Sequence, residues 1–413
     1  MNNALDGLKK RGFVKQSTDE KALGAVLEEK GQVFYVGFDP TADSLHVGSL
    51  VPIMAIAQLQ QAGHFPICII GGGTTMIGDP SGKTEMRRMM TLEEIEANGQ
   101  KILAQLKQYA VLDGERGLFL NNADWLLNIN YIDFLRDIGR HFKVNEMIRS
   151  EAYKLRLERQ EGLSFIEFNY QILQAYDFLV LSQKYNCTIQ MGGDDQWGNI
   201  LAGNDLIRKV TGKNAHALTF PLLTTATGRK MGKTESGTIW LDPMKTSSYE
   251  FYQYWINTDD RDVISFLKFF TFLPIEEINE LEKLEGADIR QAKETLAFEV
   301  TKLAHGEKEA EGARKASQAA FGQTSEDTSA MPTITINRNR FIKGITLSDL
   351  FIETGLAETK AGVQRLAEQG GAYVQGEKVL SAKTLITEEM FRENELFLSA
   401  GKKNRIRVIS SWE

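Results

Sequence analysis

From residue 33 onward, short apolar runs alternate with longer stretches of helical spacing. Residues 33–38 and 66–70 are runs of strand length. Between them, residues 46–62 repeat apolar positions at helical intervals and stop at Gly63, which predicts a helix with a glycine end. The same reasoning predicts a helix over 92–111, a strand over 117–120 that runs into Asn121 and Asn122, and a strand over 187–190. Residues 6–30 read as helical. Strands separated by helices imply a Rossmann-like, doubly wound parallel sheet with helices on both faces. Functional loops in such a sheet lie at the carboxyl ends of its strands. Beyond Thr246 the pattern is mostly helical to about Phe321, and a polar stretch over 322–329 reads as a linker. A helix over 347–354, a glycine break, a helix over 361–369 and a strand over 372–374 follow. The expected division is an α/β domain at 1–225, an α-helical domain at 226–321, a linker at 322–340 and a small α+β unit at 341–413.

The chain has 413 residues, enough for two or three domains, with 42% hydrophobic and 25% charged residues, an ordinary balance for a globular protein. No apolar stretch approaches the ~20 residues of a membrane helix, and the start has no apolar signal core, so no membrane partner and a cytoplasmic location are expected. Cys68 and Cys187 lie in apolar runs and read as buried thiols. They are too few for a zinc cluster, so no protein-bound structural metal is expected. A net charge of −7 means that any nucleic-acid contact must come from local basic patches.

Three loops carry candidate chemistry. Tyr35 to Ser49 reads as strand, polar loop and helix start, and a helix N-terminus offers unpaired N–H groups and a positive dipole end to phosphate. Met191 to Asn199 (MGGDDQWGN) follows a strand, and Gly228 to Thr234 (GRKMGKT) is a glycine-rich loop with two lysines. Ile77 to Thr84 ends like a P-loop, but the position of that motif's first glycine is Ile77, which excludes a P-loop NTPase. Tyr170, Gln174 and Asp177 fall at i, i+4 and i+7, on one face of an otherwise apolar helix. Such a polar stripe needs a partner.

His46-Val47-Gly48-Ser49 is similar to the HIGH motif of class I aminoacyl-tRNA synthetases, and Lys230-Met231-Gly232-Lys233-Thr234 to their KMSKS motif. Ser49 replaces a histidine, and Gly232 and Thr234 replace serines. Through GFDPTADSLH, IGDPSGK, NYQILQAYDF and GKTESGTIWLDP, nearly the whole chain resembles the bacterial tyrosyl-tRNA synthetase family. The resemblance implies a two-step ligase. L-tyrosine and ATP, with Mg²⁺ accompanying the ATP, form tyrosyl-adenylate, and the tyrosyl group then passes to the terminal adenosine of tRNA(Tyr). The attacking carboxylate is already ionised, so the first step needs positioning and charge stabilisation rather than a base.

By the same resemblance, His46 and Thr41 contact phosphate. Lys230, Lys233 and Thr234 close over the pyrophosphate, with Lys83 and Arg87 near it. Tyr35 and Asp177 hold the substrate phenol, Asp79, Tyr170 and Gln174 its ammonium, and Gln196 its carboxylate, with Gln190 also in the pocket. Gly37, Asp39, Gly48 and Gly192 line the ATP site, Gly48 leaving room for a flat base, and Asp195 takes the ribose. Asp194 adds a second carboxylate near the phosphates. The C-terminal unit resembles a small RNA-binding module of a ribosomal small-subunit protein, with Lys360, Arg365, Lys402, Lys403, Arg405 and Arg407 as phosphate partners; Arg338, Arg340 and Lys343 enter it. A homodimer is implied, through residues 134–148 and the LSFIEF run. Three other readings are weighed. A tryptophanyl enzyme does not need Tyr35 and Asp177 aimed at a phenol. A small-molecule adenylyltransferase lacks the two-lysine loop. A catalytically silent RNA-binding paralogue does not need His46, Lys230 and Lys233 intact.

Overall fold

The computed structural model describes residues 3–81, 90–159, 162–228, 231–234, 237–320, 331–392, 394–401 and 404–411. Chain contacts group it into two compact units, Met1–Asp242 with Asp259–Ala292, and Pro243–Thr258 with Lys293–Glu413.

In the first unit, six described strands form one sheet: β1 (Gln16–Ser17), β2 (Val33–Phe38), β3 (Phe65–Ile70), β4 (Leu118–Asn121), β5 (Ile189–Gly193) and β6 (His216–Phe220). Their spatial order is β1-β6-β5-β2-β3-β4. All neighbours are parallel except β1, which runs antiparallel to β6. Helices cover both faces of such a sheet, so its inner strands are apolar on both sides. Accordingly Pro66 to Ile70 are all buried. Phe178, Leu179 and Leu181 of the long helix Phe165–Tyr185 pack on the same core as Tyr35, Ile67 and Ile69. Both cysteines are buried, and burial raises both thiol pKa values, Cys68 to about 12.

The predicted helix over 46–62 is a 3₁₀ turn, Val47–Ser49, running into the helix Leu50–Gln61. The chain leaves it through Gly63 at φ 95°, a backbone state open to glycine at no steric cost. The helical region expected over 6–30 is interrupted. Gly12 caps the helix Ala4–Arg11 in the left-handed conformation, and β1 intervenes before the helix Glu20–Val26.

The expected helical domain at 226–321 is divided between the two units. The helix Asp260–Phe270 goes with the first, because Arg11 donates to the carbonyls of Lys268, Thr271 and Leu273 and Phe13 packs edge-on against Phe269 at 5.1 Å. The helices Ser248–Ile256 and Glu307–Ala320 lie in the second. The second unit also holds a five-stranded sheet of spatial order Glu377–Lys378, Ala372–Val374, Glu395–Ala400, Asn404–Ser411 and Thr333–Asn337. The last of these pairs in parallel with Asn404–Ser411, so residues expected in the 322–340 linker form an edge of the C-terminal sheet. The alternating Thr-Ile-Thr-Ile of 333–336 is a strand pattern that its position beside the polar stretch obscured. No helix among the described residues is long and apolar enough to cross a membrane.

Candidate active site

The chain places β3 and β4 on one side of β2, and β5 and β6 on the other. The order therefore reverses between β2 and β5, and a crevice opens at the carboxyl ends of strands at such a switch point. Gly37 and Asp39 sit at the end of β2, Gly192 and Asp195 at the end of β5.

Tyr35 and Gln190 face each other in register on these two strands. Both are buried. Neither the Tyr35 hydroxyl nor Gln190 Oε1 has a hydrogen-bond partner among the described residues. A buried polar atom left so costs about 1–3 kcal/mol, and its retention points to a ligand that completes it. Burial, and then the nearby Asp177 charge, hold the Tyr35 phenol well above its ordinary pKa.

The long helix delivers the polar stripe as its spacing predicts. Ser164 and Glu167 form a capping box at its start, and Asn186 ends it in the left-handed conformation. Asp177 accepts from Asn122 Nδ2 at 2.9 Å and from Trp125 Nε1 at 2.7 Å. Burial pushes its carboxyl up to about 7; those two hydrogen bonds pull the other way, and the Asp39 charge adds to the rise. Tyr170 donates to Asp39 Oδ2 at 3.0 Å, and Thr74 to Asp39 Oδ1 at 2.9 Å. Asn122 Nδ2 also reaches Thr74 at 3.1 Å. One network thus runs Tyr170, Asp39, Thr74, Asn122, Asp177, Trp125. The resemblance groups Tyr170 with Asp79; the structure ties its hydroxyl to Asp39.

A second network holds Asp79. Gln196 Nε2 donates to Asp79 Oδ2 at 2.7 Å and the Ser81 N–H to Asp79 Oδ1 at 2.8 Å. Asn199 Nδ2 donates to Gln196 at 3.1 Å and to Gln174 at 3.3 Å. Asn122, Trp125, Thr74 and Asn199 escaped the sequence reading. For Asn122 a signal was present, an asparagine pair at the carboxyl end of a predicted strand.

His46 caps the 3₁₀ turn, its Nδ1 accepting from the Gly48 N–H at 3.0 Å. A Cβ on Gly48 would lie 2.7 Å from the His46 ring and 3.4 Å from the Met231 carbonyl. The glycine therefore leaves room for its own histidine ring and for the backbone of the lysine-bearing loop. That loop is in register with the histidine: Val47 N–H donates to the Ile239 carbonyl, Ile239 N–H to the Gly232 carbonyl, and Leu241 N–H to the Leu45 carbonyl. The His46 and Trp240 rings meet edge-on at 6.3 Å. Thr41 is exposed beside the crevice. Lys83, Arg87 and Lys230 lie outside the described residues, and Lys233 and Thr234 are described as backbone strand.

Asp194, expected to add charge near phosphates, points elsewhere. Its Oδ1 accepts from Gln16 at 2.7 Å and from Thr219 at 2.8 Å, which ties the loop to β1 and β6. Among the described residues no group of three or more His, Cys, Asp or Glu could hold a metal.

In the C-terminal unit, Arg365 is exposed and Lys360 is paired with Asp349 at 2.6 Å. Arg407 is turned into the sheet, 3.2 Å from Glu395 and 3.2 Å from Thr333 Oγ1. Arg405 is half-buried near Tyr249, and burial lowers its pKa. Lys402 and Lys403 lie outside the described residues.

A switch-point crevice edged by a histidine turn is the layout of an α/β enzyme that binds a nucleotide. Residues 28–322 match the model of the family described as tRNA synthetases class I (W and Y). The chain is 51% identical over 409 residues to the tyrosine–tRNA ligase of Clostridium botulinum strain Hall, covering 99% of this chain and 100% of that one. It is 52% identical over 421 residues to the tyrosine–tRNA ligase of Syntrophus aciditrophicus, covering 98% of each. A crystal structure of a C-terminally truncated Aspergillus nidulans mitochondrial tyrosyl-tRNA synthetase superposes with a TM-score of 0.70 at 32% identity, covering 78% of this chain and 95% of that one. The chain belongs to the class I tRNA synthetase family of the W and Y enzymes.

Proposed function

We infer that this protein is a tyrosine–tRNA ligase, which activates L-tyrosine with ATP and transfers it to tRNA. The observation that carries the choice of amino acid is the buried Tyr35 hydroxyl, without a partner among the described residues, next to Asp177. A substrate phenol completes both: it donates to a carboxylate oxygen, which has a second lone pair to offer, and accepts from Tyr35. Phenylalanine would enter and leave them unsatisfied.

In this reading Asp79, held by Gln196 and Ser81, faces the substrate ammonium with Gln174. The tyrosine carboxylate attacks the α-phosphorus in line, and pyrophosphate leaves. His46 and Thr41 stabilise the phosphate charge by hydrogen bonding, Lys230, Lys233, Lys83 and Arg87 neutralise the leaving group, and the Thr234 hydroxyl hydrogen-bonds to it. The backbone register between Gly232 and the His46 turn supports this, since it brings the lysine loop to the histidine. Mg²⁺ enters with the triphosphate and supplies further charge neutralisation there. Gly37, Gly192 and Asp195, at the strand ends, hold the adenosine.

The finer assignments belong to the same proposal. The tRNA is tRNA(Tyr), bound in part through the C-terminal unit, and the site of action is the cytoplasm. The working form is a homodimer. Its support is a set of exposed apolar side chains on the first unit, among them Tyr131 (57% exposed), Ile132 (67%), Val144 (62%) and Phe165 (70%), which a second copy would cover.

The test is ATP–pyrophosphate exchange with tyrosine, phenylalanine and tryptophan in parallel. Exchange with tyrosine alone is expected. Exchange driven by tryptophan, or by none of the three, overturns the reading.

A further inference from the structure

Alternation divides the C-terminal sheet into two faces. One carries Ile336, Leu396, Leu398 and Val408, all buried in the module's own core. The other carries Glu395, Phe397 and Ser399, in register with Ile409, Arg407 and Arg405. An antiparallel sheet with one face on its core usually turns the other to water. Here part of that second face is covered. Ser399 is only 7% exposed, and Phe397 packs against Tyr249, Ala316 and Met331. Tyr249 belongs to the helix Ser248–Ile256 and Ala316 to the helix Glu307–Ala320. These helices are themselves joined by Gln253 Nε2 donating to Ser317 Oγ at 2.9 Å. Arg405 lies beside Tyr249, close enough for its charge to act on that phenol.

We propose that this contact is an orienting latch, in which Tyr249 and Phe397 anchor the second face of the C-terminal sheet to the helix pair. The module then meets RNA at a fixed angle rather than on a free tether, and Arg405 is a bracket of the latch rather than a phosphate contact. Tyr249 and Phe397 are positioning residues for tRNA charging. A fixed angle between sheet and helix pair holds the module ready for RNA, so less ordering is required when tRNA binds, and a loose joint adds that cost. The inference rests on the tRNA-ligase reading above.

The test uses the full chain with Phe397→Ala, Tyr249→Ala and the conservative Tyr249→Phe. Tyrosine-dependent exchange is expected within twofold of the parent for all three. Charging kcat/KM for tRNA is expected to fall by about tenfold in the two alanine variants, mainly through KM, and to return largely in Tyr249→Phe. Spin labels at Lys308→Cys and Lys378→Cys, both exposed, report the angle directly: a narrow distance distribution in the parent should broaden in the alanine variants. Normal charging in both alanine variants overturns the latch. So does lost charging with an unchanged distribution, which would make these residues direct RNA contacts. If the parent itself charges no tRNA, the underlying functional reading has failed instead.

Discussion

Asp177 and Tyr35 carry opposite burdens at the same spot. The Asp177 carboxyl, raised by burial to about 7, holds a proton in the folded state that the unfolded chain has lost. The stability it contributes is therefore fully present below its ordinary pKa, and is lost as pH rises through about 7. Binding runs the other way, because a phenol donates best to the ionised form. The KM for tyrosine should fall as pH rises from 6 to 8. Asp177→Asn should flatten both profiles and cut kcat/KM for tyrosine by at least about tenfold; stopped-flow activation across pH, with thermal melts alongside, checks this. Tyr35→Phe removes a buried hydroxyl that has no partner among the described residues, so it should raise unfolding stability by roughly 1 kcal/mol while raising the tyrosine KM roughly two- to tenfold. Denaturant titration and exchange kinetics on one sample separate the two effects. The i, i+4, i+7 stripe announced Asp177, Gln174 and Tyr170 in the sequence. Asn122 and Trp125, which hold Asp177, lie more than fifty residues away, and no periodicity links them to it.

At the scale of elements, the turn after β3 must pass very close to the turn after β2. A Cβ on Gly71 would lie 1.9 Å from Asp39 Oδ1 and 2.5 Å from Thr74 Oγ1. Gly71 has an ordinary backbone, φ −78°, so the need for glycine is space, not conformation. Gly71→Ala should leave the fold intact yet displace Asp39 and its bond to Tyr170, lowering the activation rate by about tenfold or more. Single-turnover adenylate formation measures it; a rate within twofold of the parent would show that Asp39 has no positional role. The strands β2 and β3 were legible because both faces of each are apolar. The two-residue β1 was not. It owes its place to β6 and to the Gln16–Asp194–Thr219 bonds, and two residues carry no periodic signal. The glycine at 12, by contrast, marks a helix end in plain view within the region expected to be continuous.

For the whole molecule, the exposed apolar side chains of the first unit predict self-association. Phe165, 70% exposed at the start of the long helix, is the most sensitive probe. Phe165→Asp places charge where apolar surface would be buried, and should shift sedimentation from dimer to monomer at micromolar protein. A variant that still sediments as a dimer would move the interface elsewhere. The alternation of apolar runs and helical stretches determined the sheet, its parallel sense and the ends at which chemistry collects, because each follows from local spacing and from the need to cover both faces. The histidine turn and the polar stripe were likewise legible, since the atoms they present depend on near neighbours in the chain. Tertiary structure alone decided what Asp194 does: it is committed to Gln16 and Thr219. It decided that Tyr170 meets Asp39, that Arg407 pairs within its own sheet and that Arg405 lies beside Tyr249. Those outcomes depend on distances between segments far apart in sequence, and burial sets their energies. A one-dimensional pattern specifies which side chains are available, while packing selects the partner each one meets.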